Sequence, residues 1–491
     1  MNDREALMRN ILDNPEDMTA RLVFADWLEE HDEEDRARVI RLEIEADALG
    51  EESPRYDGLT DESATLWEAH PEWVADLQSH VSYFHTRRGF VEEIELDAVQ
   101  FLEHTDELFG HSPINDVFFI DIRRRTKALA ECRQLTRLKG VGFGENALGS
   151  QAAATVFASP YWSNIERIDV SENNIGTAGA KVLFSNPAFA NLREVSMWAC
   201  TIRAMGVRTL IEAKHLSKIE KLHLGDNVVD DRGVRYLCDA PHLQSVRDLK
   251  LFSNDITDMG MRTLARCEHF ANLRQLNLHS NEYGDDGAFA IVTSPIAQHL
   301  ESLFLRGSKL TGNVFAGIAH SKRLTNLVTL KVVLPSPTDA SGLETLASND
   351  ALPSLRELVV SRGQMDELAW LALGRWKQLP RLESLTLGQF RCLRPDGMAG
   401  LLRQPLPLLK ELNLGDNSLT DSSVETLARS PHLPMLESLD LSQNGIGEVG
   451  GRALLNSPHL QKLRSLELSR TSIPTAIQSE LKERFGSQCR F

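Results

Sequence analysis

Along most of the chain, apolar residues recur as L-x-x-L-x-L, followed by a polar turn and a short run at helical spacing. Two stretches set side by side show the unit: LKELNLGDNSLTDSSVETLARSPHL from Leu409 and LESLDLSQNGIGEVGGRALLNSPHL from Leu436. The alternation in L-x-L fits a strand with one buried face, and the later apolar residues fit a helix lying against it. The unit opens at 138, 165, 192, 219, 246, 273, 300, 327, 355, 382, 409, 436 and 463, a constant step lengthened once, between 327 and 355. Looser openings at Val91 and Ile114 predict strands at about 94–96 and 117–119. About fifteen units therefore occupy residues 89–491.

One such unit cannot enclose its own core, so neighbours must stack. Stacked strands sit about 4.8 Å apart and stacked helices about 8–10 Å apart, which bends the stack. The predicted fold class is α/β: a horseshoe solenoid with parallel strands on the concave wall and helices outside. The ninth position is usually asparagine: Asn146, Asn173, Asn227, Asn254, Asn281, Asn417 and Asn444. Its amide can both donate to and accept from a turning backbone that would otherwise hold unpaired groups. Cys200 and Thr471 are workable substitutes. Ser308, Pro335, Gly363 and Phe390 are not, so residues 308–390 are expected to be the least regular. A closing helix is expected over 474–486, with Ile477, Leu481 and Phe485 covering the last unit.

Before residue 89 the pattern changes. In RLVFADWLEEHDEEDRARVIRLEIE (21–45), Met18, Leu22 and Ala25 form one stripe, while Val23, Phe24, Trp27 and Leu28 form another. The next helix carries Ala37, Ile40, Ile44 and Ala48 on one side and Val39, Leu42, Ala46 and Leu49 on the other. Helices apolar on two faces need two coverings. The expectation is a small all-α domain, residues 1–50, with a helical connector at 51–88, whose second apolar face leans on the first repeats.

Residues 138–473 resemble the leucine-rich repeats of the ribonuclease-inhibitor-like subclass. That resemblance implies a horseshoe used as a binding surface; the class includes inhibitors, sensor domains and Ran GTPase-activating proteins. NPEDMTARLVFADWLEEHDEEDRARVIRLEIEAD (14–47) is similar to a short repeat-companion domain of bacterial proteins, through Arg21-Leu22-Val23, Ala25-Asp26-Trp27-Leu28-Glu29-Glu30 and Arg41-Leu42. It implies company with repeats and nothing catalytic.

The formal charge of −17 is uneven: residues 1–60 hold 18 acidic against 7 basic side chains. Such a chain is a poor prospect for phosphate neutralisation, so no nucleic-acid partner is expected. The basic knot Arg123, Arg124, Arg125 and Lys127 reads as a solvated helix start. No apolar run approaches the roughly 18–20 residues of a membrane span. The acidic start, MNDREALMRNILDNPED, lacks a signal peptide's layout, and a cytoplasmic monomer is expected. Six cysteines without a C-x-x-C pair read as reduced thiols.

Chemistry leaves few marks. No P-loop, HExxH or GxSxG occurs, and His70-Pro71-Glu72 has no PCxxC to complete a zinc deaminase. His215, His242 and His269, like His432 and His459, recur at the repeat spacing in the exit turn and read as repeat consensus. No catalytic residue, metal or cofactor is implied. The outward strand positions are more telling. From 196 to 333 they collect Trp198, His223, Lys250, Phe252, Asn277, His279, Phe304, Arg306 and Lys331, while the flanks are small, polar or acidic. Exposed aromatics beside arginine mark binding hot spots. The expected function is non-enzymatic capture of an acidic protein partner on this wall. The alternatives are a GTPase activator of the Ran-GAP-like kind and a stoichiometric inhibitor or regulatory subunit of an enzyme.

Overall fold

Strands stand at the predicted openings of the computed structural model, which describes residues 3–50, 53, 55–335, 342–365, 367–390 and 393–491. The chain divides into two compact units: Met1–Ile202 with Glu212–Ile219, and Arg203–Ile211 with Glu220–Phe491. The N-terminal helices thus share a unit with the first repeats.

In the first unit, α1 (Asp3–Asp13), α2 (Met18–Glu29), α3 (Glu34–Leu49) and α4 (Tyr56–Ala69) precede the strands β1 (Tyr83–Arg87) and β2 (Phe90–Leu96). The α3 helix is two-sided, as its stripes require. Ala37 and Ile40 join Ile11, Phe24, Leu28 and Phe90 in one core, with Ile44 packed against it. Leu42 and Ala46 join Leu59 in another. The α2 helix is not two-sided: Ala20, Phe24, Ala25 and Leu28 are buried, but Leu22 and Val23 are exposed. Arg21, at the seam between the stripes, turns inward and is fully buried.

Residues 51–88 are not helical throughout, because Tyr83–Arg87 form β1. Its side chains alternate between exposed and half-buried, which suits a strand, and it pairs antiparallel with β2. From β2 onward the pairing is parallel and in register: Ile94 with Val117, Val117 with Val141, Val141 with Ile168, and Ile168 with Val195. These central residues are all buried.

The β1–β2 turn is gripped by α3. Arg36 Nη2 donates to the Gly89 carbonyl at 2.6 Å, and the Gly89 N–H donates to Glu43 Oε2 at 2.6 Å. Gly89 has φ +82°, and a Cβ there would run into Ile40, so only glycine fits this contact. The other oxygen of Glu43 accepts from Ser63, Trp67 Nε1 and Thr86. Beneath the turn lies an ionic cluster. Arg21 donates to the carbonyls of Pro15 and Arg88 and pairs with Glu92 at 2.7 Å. Arg88 meets Glu92 and reaches Glu16 at 3.0 Å, and Glu16 takes Lys139 at 3.1 Å. Apolar and charged contacts together seat the helices on the first repeats.

In the second unit, strands from Lys221–His223 to Ser465–Glu467 pair in parallel, each with the next. A strand at Cys489–Arg490, unmarked in the sequence, pairs with Ser465–Glu467. The expected closing helix is Thr475–Phe485, with Ile477, Leu481 and Phe485 buried.

Two side-chain ladders join successive repeats. The asparagine ladder takes the expected form: the Asn227 N–H donates to Asn254 Oδ1 at 3.0 Å, and the Asn254 N–H to Asn281 Oδ1 at 2.9 Å. In the first unit, Cys200 Sγ donates to the Val170 carbonyl at 3.0 Å, and burial pushes this thiol up to about 12. The second ladder is aspartate at helix starts. Asp258 Oδ1 accepts from the N–H groups of Gly284 and Gly287, at 2.8 and 2.9 Å, and Asp421 serves Gly447 and Gly450 alike. Each carboxylate caps the helix of the following repeat, where unpaired N–H groups favour negative charge.

Within 308–390, where 336–341 and 366 lie outside the described residues, and just before it, the described residues depart from the pattern by adding strand. Asn281–Gly284 and Gly307–Lys309 form a two-stranded parallel sheet of their own, and buried Tyr283 accepts the Arg306 N–H through its hydroxyl at 2.9 Å. Strands Thr329–Val333, Glu357–Ser361 and Ser384–Gly388 lengthen to five residues. Phe390 is buried and edge-on to Trp370 at 5.7 Å.

Candidate interaction surface

The second unit lines up the outward residues of five consecutive strands. His223 stands opposite Lys250, Lys250 opposite Asn277, Asn277 opposite Phe304, and Phe304 opposite Lys331. At about 4.8 Å per strand the row is roughly 19 Å long. Two residues further on in each repeat lie Phe252, His279 and Arg306.

The aromatic members form a continuous stack. Phe252 and His279 lie nearly parallel, with ring centroids 4.7 Å apart and planes at 6°. His279 and Phe304 follow at 4.7 Å, tilted by 36°. Gly225 makes room for the stack: a Cβ there would strike the Phe252 ring. Burial lowers the pKa of His279, and the Arg306 charge lowers it further, so the ring favours its neutral form. A neutral imidazole between two phenyl rings is a flat apolar platform with a polar edge, and its Nδ1 lies 2.9 Å from Ser280 Oγ.

The cations are less free than the sequence suggests. Lys331 pairs with Glu357 at 2.7 Å, while Lys250 lies 3.8 Å from Asp248, which also takes His223 Nε2 at 2.9 Å. Asp248 and Glu357 open the same strands as Lys250 and the residue facing Lys331, a register signal the outward-position reading passed over. Arg306 has no carboxylate within ion-pair reach among the described residues. The members in this unit are half-buried by one another rather than projecting singly into solvent. Trp198 belongs to the first unit and is 36% exposed.

Elsewhere several histidines have structural partners. His269 Nε2 lies 3.2 Å from the Leu237 carbonyl, and His432 Nδ1 2.7 Å from that of Leu402, each tying an exit turn to the preceding repeat. His70 stacks on Trp73 at 4.3 Å and hydrogen-bonds Glu72 and Asp35. In the basic knot, Arg123 pairs with Asp121 at 3.0 Å. The five cysteines of the described residues are free thiols; Cys392 lies outside them. Among the described residues no helix is long and apolar enough to cross a membrane.

Residues 163–184, 215–238, 242–265, 271–292, 406–428 and 432–455 match the leucine-rich repeat family model, so these segments of the chain are leucine-rich repeats. No curated protein matches it. Among solved structures it is similar to an internalin from Listeria monocytogenes, at 18% identity over 74% of this chain and 92% of that one, with a TM-score of 0.40. A leucine-rich-repeat protein of Leptospira interrogans follows at 16% identity, over 77% and 89%, TM-score 0.40. A chain of the Rad7–Elc1 complex of yeast gives 16%, over 80% and 94%, TM-score 0.44.

Proposed function

We propose that this protein is a non-enzymatic interaction module that captures a protein partner on the sheet face of its second unit. The observation that carries the reading is the continuous stack of Phe252, His279 and Phe304, with Arg306 beside it. Stacked rings present a preformed apolar surface that loses little rotamer freedom on binding, and a partner desolvates them at small entropic cost. Arg306 then selects a carboxylate, because its fork is satisfied bidentately. The partner chemistry is therefore an apolar or aromatic anchor beside an acidic side chain. Lys250 and Lys331, already held by Asp248 and Glu357, tune the surrounding field and the rate of encounter. A partner covering about 800 Å² needs no more of the wall than this. The reading assigns the repeats to the ribonuclease-inhibitor-like kind, residues 1–50 to a companion domain, and a cytoplasmic, monomeric state to the protein.

The test uses affinity capture from the source cell with three immobilised proteins: wild type, Phe304→Ala with Arg306→Glu, and Asn413→Ala with Asp440→Ala. The last pair lies on the same face, bonded to each other at 2.8 Å, away from the stack. Loss of a captured protein with the first double alone, circular dichroism being unchanged, supports the site. Equal loss with both doubles, or with neither, removes it.

A further inference from the structure

Two imidazoles and a carboxylate meet beside the hairpin of the first unit. His80 lies in the turn before β1, and His104 and Glu107 lie in the helix Ala98–His111 that follows β2. Glu107 Oε2 is 3.4 Å from His80 Nε2 and 3.0 Å from His104 Nδ1. The two rings are 4.0 Å apart, and one ligand atom from each residue lies within 4.8 Å of the other two. We propose that His80, His104 and Glu107 form a binding site for a borderline divalent transition ion of the Zn²⁺ class.

The backbone sets each ligand in place. The His80 N–H donates to the Leu77 carbonyl at 2.9 Å, closing the turn that carries it. The helix is started by Asp97, whose Oδ1 accepts from the N–H groups of Val99 and Gln100. His104 and Glu107, three residues apart, share a helix face. At His104 the helix is kinked, with φ −119° and ψ 16° inside Ala98–His111. Sharp kinks usually have a proline or a local insertion behind them, and this helix has no proline. The distortion thus falls on a ligand residue.

The donor set chooses the ion. Two imidazole nitrogens and one carboxylate suit zinc or its neighbours, whereas magnesium and calcium prefer all-oxygen shells. Donors about 2.0–2.2 Å from one tetrahedral ion stand roughly 3.3–3.6 Å from one another, so the present separations need to close by no more than about 1.5 Å. Three protein ligands leave the fourth position to water. One Glu107 oxygen now serves both rings; a dication would take a lone pair from each imidazole and from the carboxylate. The bound ion would clip the turn ahead of β1 to the helix behind β2. The overall charge of −17 favours cation approach.

The test titrates full-length protein, stripped with a chelator and dialysed, with Zn²⁺ by calorimetry and with Co²⁺ by visible absorption. One ion per chain and an intense tetrahedral Co²⁺ band are expected, with a melting temperature that rises with Zn²⁺. His80→Ala with His104→Ala should abolish the band, and Glu107→Gln should weaken Zn²⁺ binding by at least about tenfold. His111→Ala, a neighbouring imidazole outside the set, should bind as wild type does. A double variant that binds like wild type, or a pale octahedral Co²⁺ spectrum in wild type, overturns the site. The wild-type spectrum decides the matter even if the double variant does not fold.

Discussion

Arg21 and Glu92 meet at 2.7 Å with both side chains sealed from solvent, one from the second helix and the other from the first strand of the parallel array. Glu92 also holds Arg88, so a single carboxylate balances two buried guanidinium groups. Arg21→Ala removes one of three charges and should cost about 3–5 kcal/mol, as losing a partner from a buried pair does. Glu92→Leu should cost more, since it leaves two buried cations with only the half-exposed Glu16 between them. Hydrogen exchange at the amides of residues 84–96 reads both losses; equal effects would show that Arg88 draws nothing from Glu92.

Acid should loosen the same junction. Burial alone would raise the Glu16 carboxyl, but hydrogen bonds and charge from Arg88 and Lys139 overcome it and hold it at about 2, against an ordinary 4.5. A carboxylate depressed in the folded state contributes stability that is complete above its unfolded value and lost as pH falls toward the folded one. The window is therefore pH 4.5 down to about 2. Glu16→Gln should flatten the acid limb of a melting-temperature profile in that window, and an unaltered limb would remove Glu16 from the account.

His279 gives a second pH window with the same sign. Its depressed pKa means the unfolded chain takes up a proton more readily, so the stack's stability is complete above about 6.5 and declines as pH falls below it. His279→Phe keeps a ring in the stack and should remove this sensitivity. Melting temperatures compared at pH of about 7.5 and about 5.5 should then differ less than in wild type.

Gly225→Ala tests the seat of the platform without replacing any proposed contact residue. The added methyl must displace the Phe252 ring, and overpacking of this kind costs about 1–3 kcal/mol. The Phe252 and His279 proton shifts should move together if the rings part. Shifts confined to Phe252 would show that the stack is not one piece.

The aspartate ladder predicts an isosteric contrast. Asp258→Ala strips the caps from Gly284 and Gly287 and should cost about 0.5–2 kcal/mol, the range of a lost N-cap. Asp258→Asn keeps an oxygen acceptor and should cost less. Urea unfolding followed by circular dichroism orders the two, and the reverse order would assign the effect to charge repulsion instead.

Much of this architecture is legible in the residues because strand, turn and helix repeat one geometry. Val141, Ile168 and Val195 fall in the sheet where the spacing puts them, and Asn254 bonds as its position requires. What escapes the reading is whatever one repeat does not share with the next. Arg21 resembles a seam residue on a helix wheel, since nothing nearby announces Glu92, far along the chain in another element. β1 belongs to no repeat and is hidden among helical neighbours. The lysines of the candidate surface read as free because periodicity names a column of positions, whereas Glu357 neutralises Lys331 from an adjacent column. His80 and His104 stand on opposite sides of β2 in the chain, too widely spaced for any short metal motif.

The asparagine ladder has a direction, and the direction has a consequence for synthesis. The turn at Asn227 is completed by an oxygen of Asn254, one repeat downstream, and the turn at Asn254 waits in the same way for Asn281. A chain leaves the ribosome N-terminus first, at about 5–20 residues per second, so each turn stays open for roughly one to five seconds after it emerges. Completion of each of these turns can therefore run no closer than one repeat behind the emerging chain. A ribosome paused within a unit exposes one unfinished turn, however long the finished stack behind it.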